Sequence, residues 1–178
     1  MPYPILDPTG ATTTSQQERQ RRARRRGNLH GATVGLLVNT KQNAAPFLDE
    51  IGRLLIDQYG AQSTISRTKV NFAAPAPEEL IKEMAASCDV IITGIGDCGS
   101  CSASAVADGI VFEAAGLPAA AICSDAFGVT ADAMADLRGA PGYRYATTPH
   151  PVAVLTPDQV KERAAQVLDD VVTLLTGT

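Results

Sequence analysis

The chain has 178 residues, of which 45% are hydrophobic, 4% aromatic and 19% charged, with a formal net charge of -4. This is the length of one domain with a substantial core and the composition of an ordinary globular protein. No apolar run approaches the ~20 residues of a membrane helix. The opening MPYPILDPTGATTTSQQERQ lacks the apolar centre of a signal peptide, so a cytoplasmic protein with no membrane partner is expected.

Charge is unevenly spread. Six arginines fall within residues 19–26, in QQERQRRARRR, and the remainder is acidic. Such an arm suits either a nucleic-acid backbone or a solvated or partner-contacting helix. It is short, has no interleaved aromatics and is attached to an acidic body that repels phosphates, so no nucleic-acid partner is expected. That body can hold the arm itself, or hold the arm of a neighbouring subunit in a homo-oligomer. Residues 1–30 read as an N-terminal extension and 31–178 as a single α/β catalytic domain.

From residue 31 strands and helices alternate. ATVGLLVN (32–39) is a continuous apolar run of strand length, followed by a helix with Phe47, Leu48, Ile51, Leu54 and Leu55 on one face and a terminal Gly60. STISRTKV (63–70) alternates in polarity, as an exposed or edge strand does. APEELIKEMAASC is a helix with Pro and two glutamates in its first turn. DVIITGI (89–95) is the most apolar strand and belongs at the centre. SASAVADGIVFEAAG is a helix of small residues ending at Gly116. LPAAAICSDAF holds the next buried strand, TADAMADLRG a helix, and YRYAT a weaker strand before TPHP. The last helix, TPDQVKERAAQVLDDVVTLL, has Thr156 as cap and Pro157 at its first position. Five strand–helix pairs with short connections predict a three-layer αβα domain with a five-stranded, mostly parallel sheet in the flavodoxin-like order 2-1-3-4-5.

Ligands of such sheets bind at the carboxyl ends of the strands, where the strand order reverses. The stretch GIGDCGSCSASAVADG (94–109) lies there, after the third strand and at a helix start, with Cys98 and Cys101 three residues apart. Unpaired backbone N–H groups and the helix dipole stabilise a thiolate in that place. Gly94, Gly96 and Gly99 match GxGxxG, but dinucleotide folds place that pattern after the first strand. The alternatives for the cysteines are a redox pair, metal ligands, a nucleophile with a neighbour, or small residues of a turn. One CxxC with no second pair, and two histidines far apart, fits a zinc site poorly, and no metal is expected. Cys88 and Cys123 read as small core residues.

Other loops reach the same rim. The first offers Asn39, Lys41 and Asn43, with Lys41 suited to an anionic substrate or to the thiolate. Gly99, Ser100 and Ser102 line the approach to the helix, and Ser124, Asp125 and Phe127 follow the fourth strand. Thr147, Thr148 and His150 follow the fifth, the histidine held between two prolines. His150 suits an acid–base partner of Cys98, or a solvent-facing turn; Asp97 suits proton transfer, or a helix cap. Asp108 and Glu113 in the following helix face either the site or water. Lys41, Asn43, Gly99, Ser100, Ser102, Asp125 and Phe127 are therefore the expected substrate contacts, and Cys98, Cys101, His150 and Asp97 the expected catalytic groups.

These residues resemble the UGSC family, named for a selenocysteine-Gly-Ser-Cys motif that stands here as Cys98-Gly99-Ser100-Cys101 after Asp97. The resemblance extends to ILDPTG, NTKQNA, CDVIITGIGDCGSCS, EAAGLPAAAICSDAF and PHP. The family is distantly similar to selenoprotein B subunits of glycine-type reductases. The resemblance implies that selenium occupies the Cys98 position in other members, where sulfur here keeps the geometry at lower reactivity.

Three functions follow as expectations. In the first, Cys98 performs thiol-redox chemistry on a small metabolite and Cys101 resolves it as a disulfide, since one helical turn brings the sulfurs within bridging distance. An external thiol reductant restores the pair, and no other cofactor is implied. In the second, Cys98 adds to a double bond or carbonyl while His150 or Asp97 moves protons, as in a hydratase, lyase or isomerase. In the third, the chain is a non-catalytic subunit that binds an anion or a partner.

Overall fold

The computed structural model describes residues 22–178; residues 1–21, with ILDPTG and with Arg19 and Arg21 of the basic run, lie outside the described residues. Five parallel strands, β1 (Thr33–Val38), β2 (Ser63–Thr68), β3 (Val90–Gly96), β4 (Ala119–Ser124) and β5 (Ala146–Thr148), form one sheet in the order β2-β1-β3-β4-β5. The helices are α1 (Ala44–Tyr59), α2 (Glu78–Ser87), α3 (Gly99–Ala114), α4 (Gly128–Leu137) and α5 (Pro157–Thr176), with a 3-10 turn at Asp125–Phe127. The fold is the expected α/β one, and the order reverses between β1 and β3. Among the described residues no helix is long and apolar enough to cross a membrane.

Burial follows the sequence pattern. Every residue of β3 and β4 is buried, whereas the alternating β2 is an edge strand with its last three residues exposed. The apolar stripe of α1 packs with α5 on one face of the sheet, around Phe47, Leu48, Ile51, Val167 and Val171. On the other face α2, α3 and α4 build smaller clusters around Met84, Ile91 and Phe112 and around Val106, Ala121 and Ala131. Gly60 ends α1 with φ 68°, its N–H donating to the Leu55 carbonyl, and Thr156 with Gln159 forms a capping box ahead of Pro157.

The β3–β4 ladder shifts register between Thr93 and Gly96, in the stretch containing the cis Gly94–Ile95 peptide. Such an irregularity re-aims the end of a strand. Gly96 is required there: a Cβ would lie 2.7 Å from Ser102 and 2.9 Å from the Cys123 sulfur. The helix after β3 begins at Gly99, three residues before the expected start at Ser102, because Cys98 itself takes the N-cap position.

At the opposite edge, where the strands begin, the described part of the basic arm departs from expectation. Residues 22–26 contain no helix. The Ala23 N–H donates to Glu113 (2.7 Å), Arg25 pairs with Glu113 (2.8 Å), Arg26 with Asp89 (2.6 Å), and Arg22 donates to the Gly142 carbonyl (3.0 Å). A helix here would stack like charges one turn apart, whereas irregular backbone lets Arg22, Arg25 and Arg26 each reach an acceptor.

Candidate functional site

Cys98 caps α3: its sulfur accepts from the Cys101 N–H (3.2 Å), and its carbonyl accepts from the Ser102 N–H (2.9 Å). Cys98 is half-buried and Cys101 completely buried, and their sulfurs are joined in a disulfide. Only one sulfur of the pair is therefore reachable from outside. The Ser100 hydroxyl, on an exposed residue, lies 3.6 Å from the Cys98 sulfur. The remaining cysteines sit in unreactive surroundings. Burial pushes the Cys123 thiol up to about 12 and raises that of Cys88.

Asp97 does not cap the helix. Its carboxylate, 7% exposed, turns inward and accepts from the Ser124 hydroxyl (2.5 Å), the Val152 N–H (3.0 Å) and the Ala153 N–H (2.9 Å). His150 Nδ1 completes the set at 2.9 Å. Burial pushes this carboxyl up, but Ser124, the Ala153 and Val152 amides and His150 together outweigh it and hold it below the ordinary aspartate value. An ionised carboxylate only accepts, so Nδ1 carries the proton and Nε2 of a neutral ring is the free, basic nitrogen. The imidazole is further held by its own backbone N–H donating to Asp125 (3.0 Å) and by an edge-on contact with Phe127, with ring centroids 5.1 Å apart. Its side chain is 38% exposed, beside the loop that carries Cys98.

The structure thus brings Asp97, Cys98, Cys101, His150, Asp125 and Phe127 together at the carboxyl ends of β3, β4 and β5. Two residues expected at the substrate are used inside the protein instead. Ser102 is fully buried and donates to the Gly96 carbonyl (2.9 Å). Asn43, with φ 65° at the start of α1, donates to the carbonyls of Val152 (3.0 Å) and Leu155 (2.9 Å), bracing the loop that wraps Asp97. Gly99 faces Thr130 of α4. Lys41 lies in the β1–α1 loop, across the order reversal from Cys98, with its ammonium 5.5 Å from the centre of the Phe72 ring.

Asp108 and Glu113 both point inward. Glu113 holds the arm and also accepts from the Ala119 N–H (2.8 Å), far along α3 from Cys98. Asp108 pairs with Lys69, and both are buried; burial pushes the carboxyl up in spite of the ammonium. Sequence reasoning missed Lys69, Phe72 and the Val152 and Ala153 amides. A lysine after an edge strand reads as a surface residue, and backbone donors carry no side-chain signature. Thr148, paired in register with Ser124, has a buried hydroxyl without a hydrogen-bond partner among the described residues.

The chain belongs to the UGSC family, whose model matches residues 4–177. A search of curated proteins finds no match. Among solved structures, an ABC transporter permease from the Pseudomonas fluorescens group aligns at 14% identity and a TM-score of 0.35. The alignment covers 84% of this chain and 37% of that one.

Proposed function

We propose that this UGSC-family chain is a thiol-redox enzyme acting on a small electrophilic metabolite, with Cys98 as nucleophile and Cys101 as resolving thiol. The observation that carries this reading is the Cys98–Cys101 pair itself: one reachable sulfur at a helix N-cap, bonded to one buried sulfur a turn away. The N-terminal end of α3 favours the thiolate of the reduced pair. That thiolate attacks an electrophilic centre R–Y, forming a Cys98–R bond and releasing Y with the bonding electrons. Cys101, as thiolate, then attacks the Cys98 sulfur, and R departs with the electron pair and takes a proton, giving R–H and the disulfide. The substrate gains two electrons and the two thiols lose them. An external thiol reductant regenerates the pair by exchange at Cys98, the accessible sulfur.

His150 serves the protonation steps. Asp97 fixes its tautomer and ring plane, so that Nε2 moves the proton while Asp97 stays ionised. This dyad supports a second reading, non-redox addition or elimination, in which Cys98 adds to a double bond or carbonyl and Cys101 has no chemical part. The two readings separate on variants. Under redox chemistry Cys98→Ser and Cys101→Ser both abolish multiple turnover, and intact mass after a single turnover without reductant shows the protein two hydrogens lighter. A Cys101→Ser enzyme that still turns over at near the parent rate, with the parent's thiols free after reaction, establishes the addition reading instead.

A further inference from the structure

We propose that Lys41, held against the face of Phe72, is a carboxylate-recognition group beside Cys98, so that the substrate of this site is a small carboxylate. The inference rests on Cys98 being the reactive sulfur. The β1–α1 and β3–α3 loops leave the sheet side by side at the order reversal. They are tied together by Asn39, whose N–H donates to the Gly94 carbonyl (3.0 Å) and whose amide donates to the Ile95 carbonyl (2.7 Å). The Asn39 side chain also accepts from the Lys41 N–H (3.1 Å), which fixes the turn that presents the lysine.

Two lysines of this edge have opposite surroundings. Lys69 is 4% exposed and its ammonium donates to Asp108 (2.5 Å), Ser104 (2.6 Å) and the Ala74 carbonyl (3.0 Å), so all three of its protons are occupied. With the Ala76 N–H donating to Asp108 (2.7 Å), this cluster clamps the loop after β2 onto α3. That loop carries Phe72. Lys41 is half-buried, and among the described residues it has no carboxylate within ion-pair distance, only the aromatic ring. A ring face orients a cation without neutralising it and leaves its protons for another acceptor. Of the acids at this rim, the Asp97 carboxylate accepts from Ser124 and two backbone amides, Asp108 is bound to Lys69, and Asp125 accepts from the His150 N–H. The positive end of the α3 dipole adds a field of the same sign. Lys41 is thus a cation with no carboxylate partner among the described residues, in a protein that is acidic overall.

The experiment compares alkylation of Cys98 in the reduced full-length protein by iodoacetate and by iodoacetamide, reagents that differ by one carboxylate. Adducts are assigned by peptide mass mapping. The iodoacetate-to-iodoacetamide rate ratio is expected to exceed that of a free cysteine peptide about fivefold at low salt, and to shrink as salt is added. Lys41→Met brings the ratio to the peptide value or below, and Phe72→Leu, which leaves the charge in place but loosens it, lowers it about twofold. A wild-type ratio equal to the peptide's, or a ratio unmoved by Lys41→Met, overturns the carboxylate subsite. An iodoacetamide rate no faster than the peptide's counts against Cys98 as an activated thiol, while the ratio at the same sulfur still decides the subsite.

Discussion

Glu113 and Asp97, two buried carboxylates at opposite ends of the sheet, are satisfied in opposite ways. Where the strands begin, Glu113 and Asp89 meet arginines of the N-terminal arm, charge against charge. Where the strands end, Asp97 is held by a hydroxyl, two backbone amides and an imidazole, with no Lys or Arg in contact among the described residues. The first arrangement latches a segment to the body. The second keeps an ionised group rigid beside Cys98 and, under the proposed function, leaves Cys98 and Lys41 to meet the substrate. A buried carboxylate by itself therefore says little about function; the kind of donor that satisfies it says more.

The largest effect should come from the reactive edge. Cys98→Ser is expected to lower turnover about ten-thousandfold or more, measured as product formation with excess thiol. Glu113→Gln, at the other edge, should leave it within a factor of two. Next is Asp97→Asn, which sets an amide N–H₂ against donors. It should cost about 3 kcal/mol in urea unfolding and lower turnover by releasing the imidazole of His150.

The pH dependence of stability sharpens the contrast. Asp97 has its folded-state pKa lowered, so its contribution is present above the unfolded value of about 3.9 and is lost as pH falls through the folded value. Wild-type stability should drop over that acid interval, and the drop should be visibly smaller in Asp97→Asn. Glu113→Gln, which weakens a mostly buried pair, should cost about 2 kcal/mol with Cys98 alkylation rates unchanged. The smallest effect belongs to Arg26→Ala: its ion pair with Asp89 is more than a third exposed on both sides, so about 0.5 kcal/mol is expected, vanishing in high salt.

Much of the fold was legible because its signals are local. The unbroken apolar runs of β3 and β4, the alternation of β2, the stripe on α1, Gly60 as a stop and Thr156-Pro157 as a start all describe elements that the structure contains. Cys98 and Cys101 were legible for the same reason, since three residues across a helix start bring two sulfurs together whatever the rest of the chain does. His150 could be nominated from its place after the fifth strand, but its bond to Asp97 spans 53 positions and has no sequence signature. Asn43 and Ser102 show the reverse error. Polar residues on the expected rim look like ligand contacts until loop packing turns them toward backbone carbonyls.

Periodicity, caps and spacing, read along the chain, determined the order of strands and helices, the parallel architecture and the pair of sulfurs at a helix start, because each depends on residues within a few turns of one another. Which carboxylate orients the imidazole, which lysine is neutralised and which stays available, and where the arginines attach were decided only by tertiary structure. Those outcomes depend on burial and on the competition among distant donors and acceptors, which arise only when separate loops meet at the edges of one sheet.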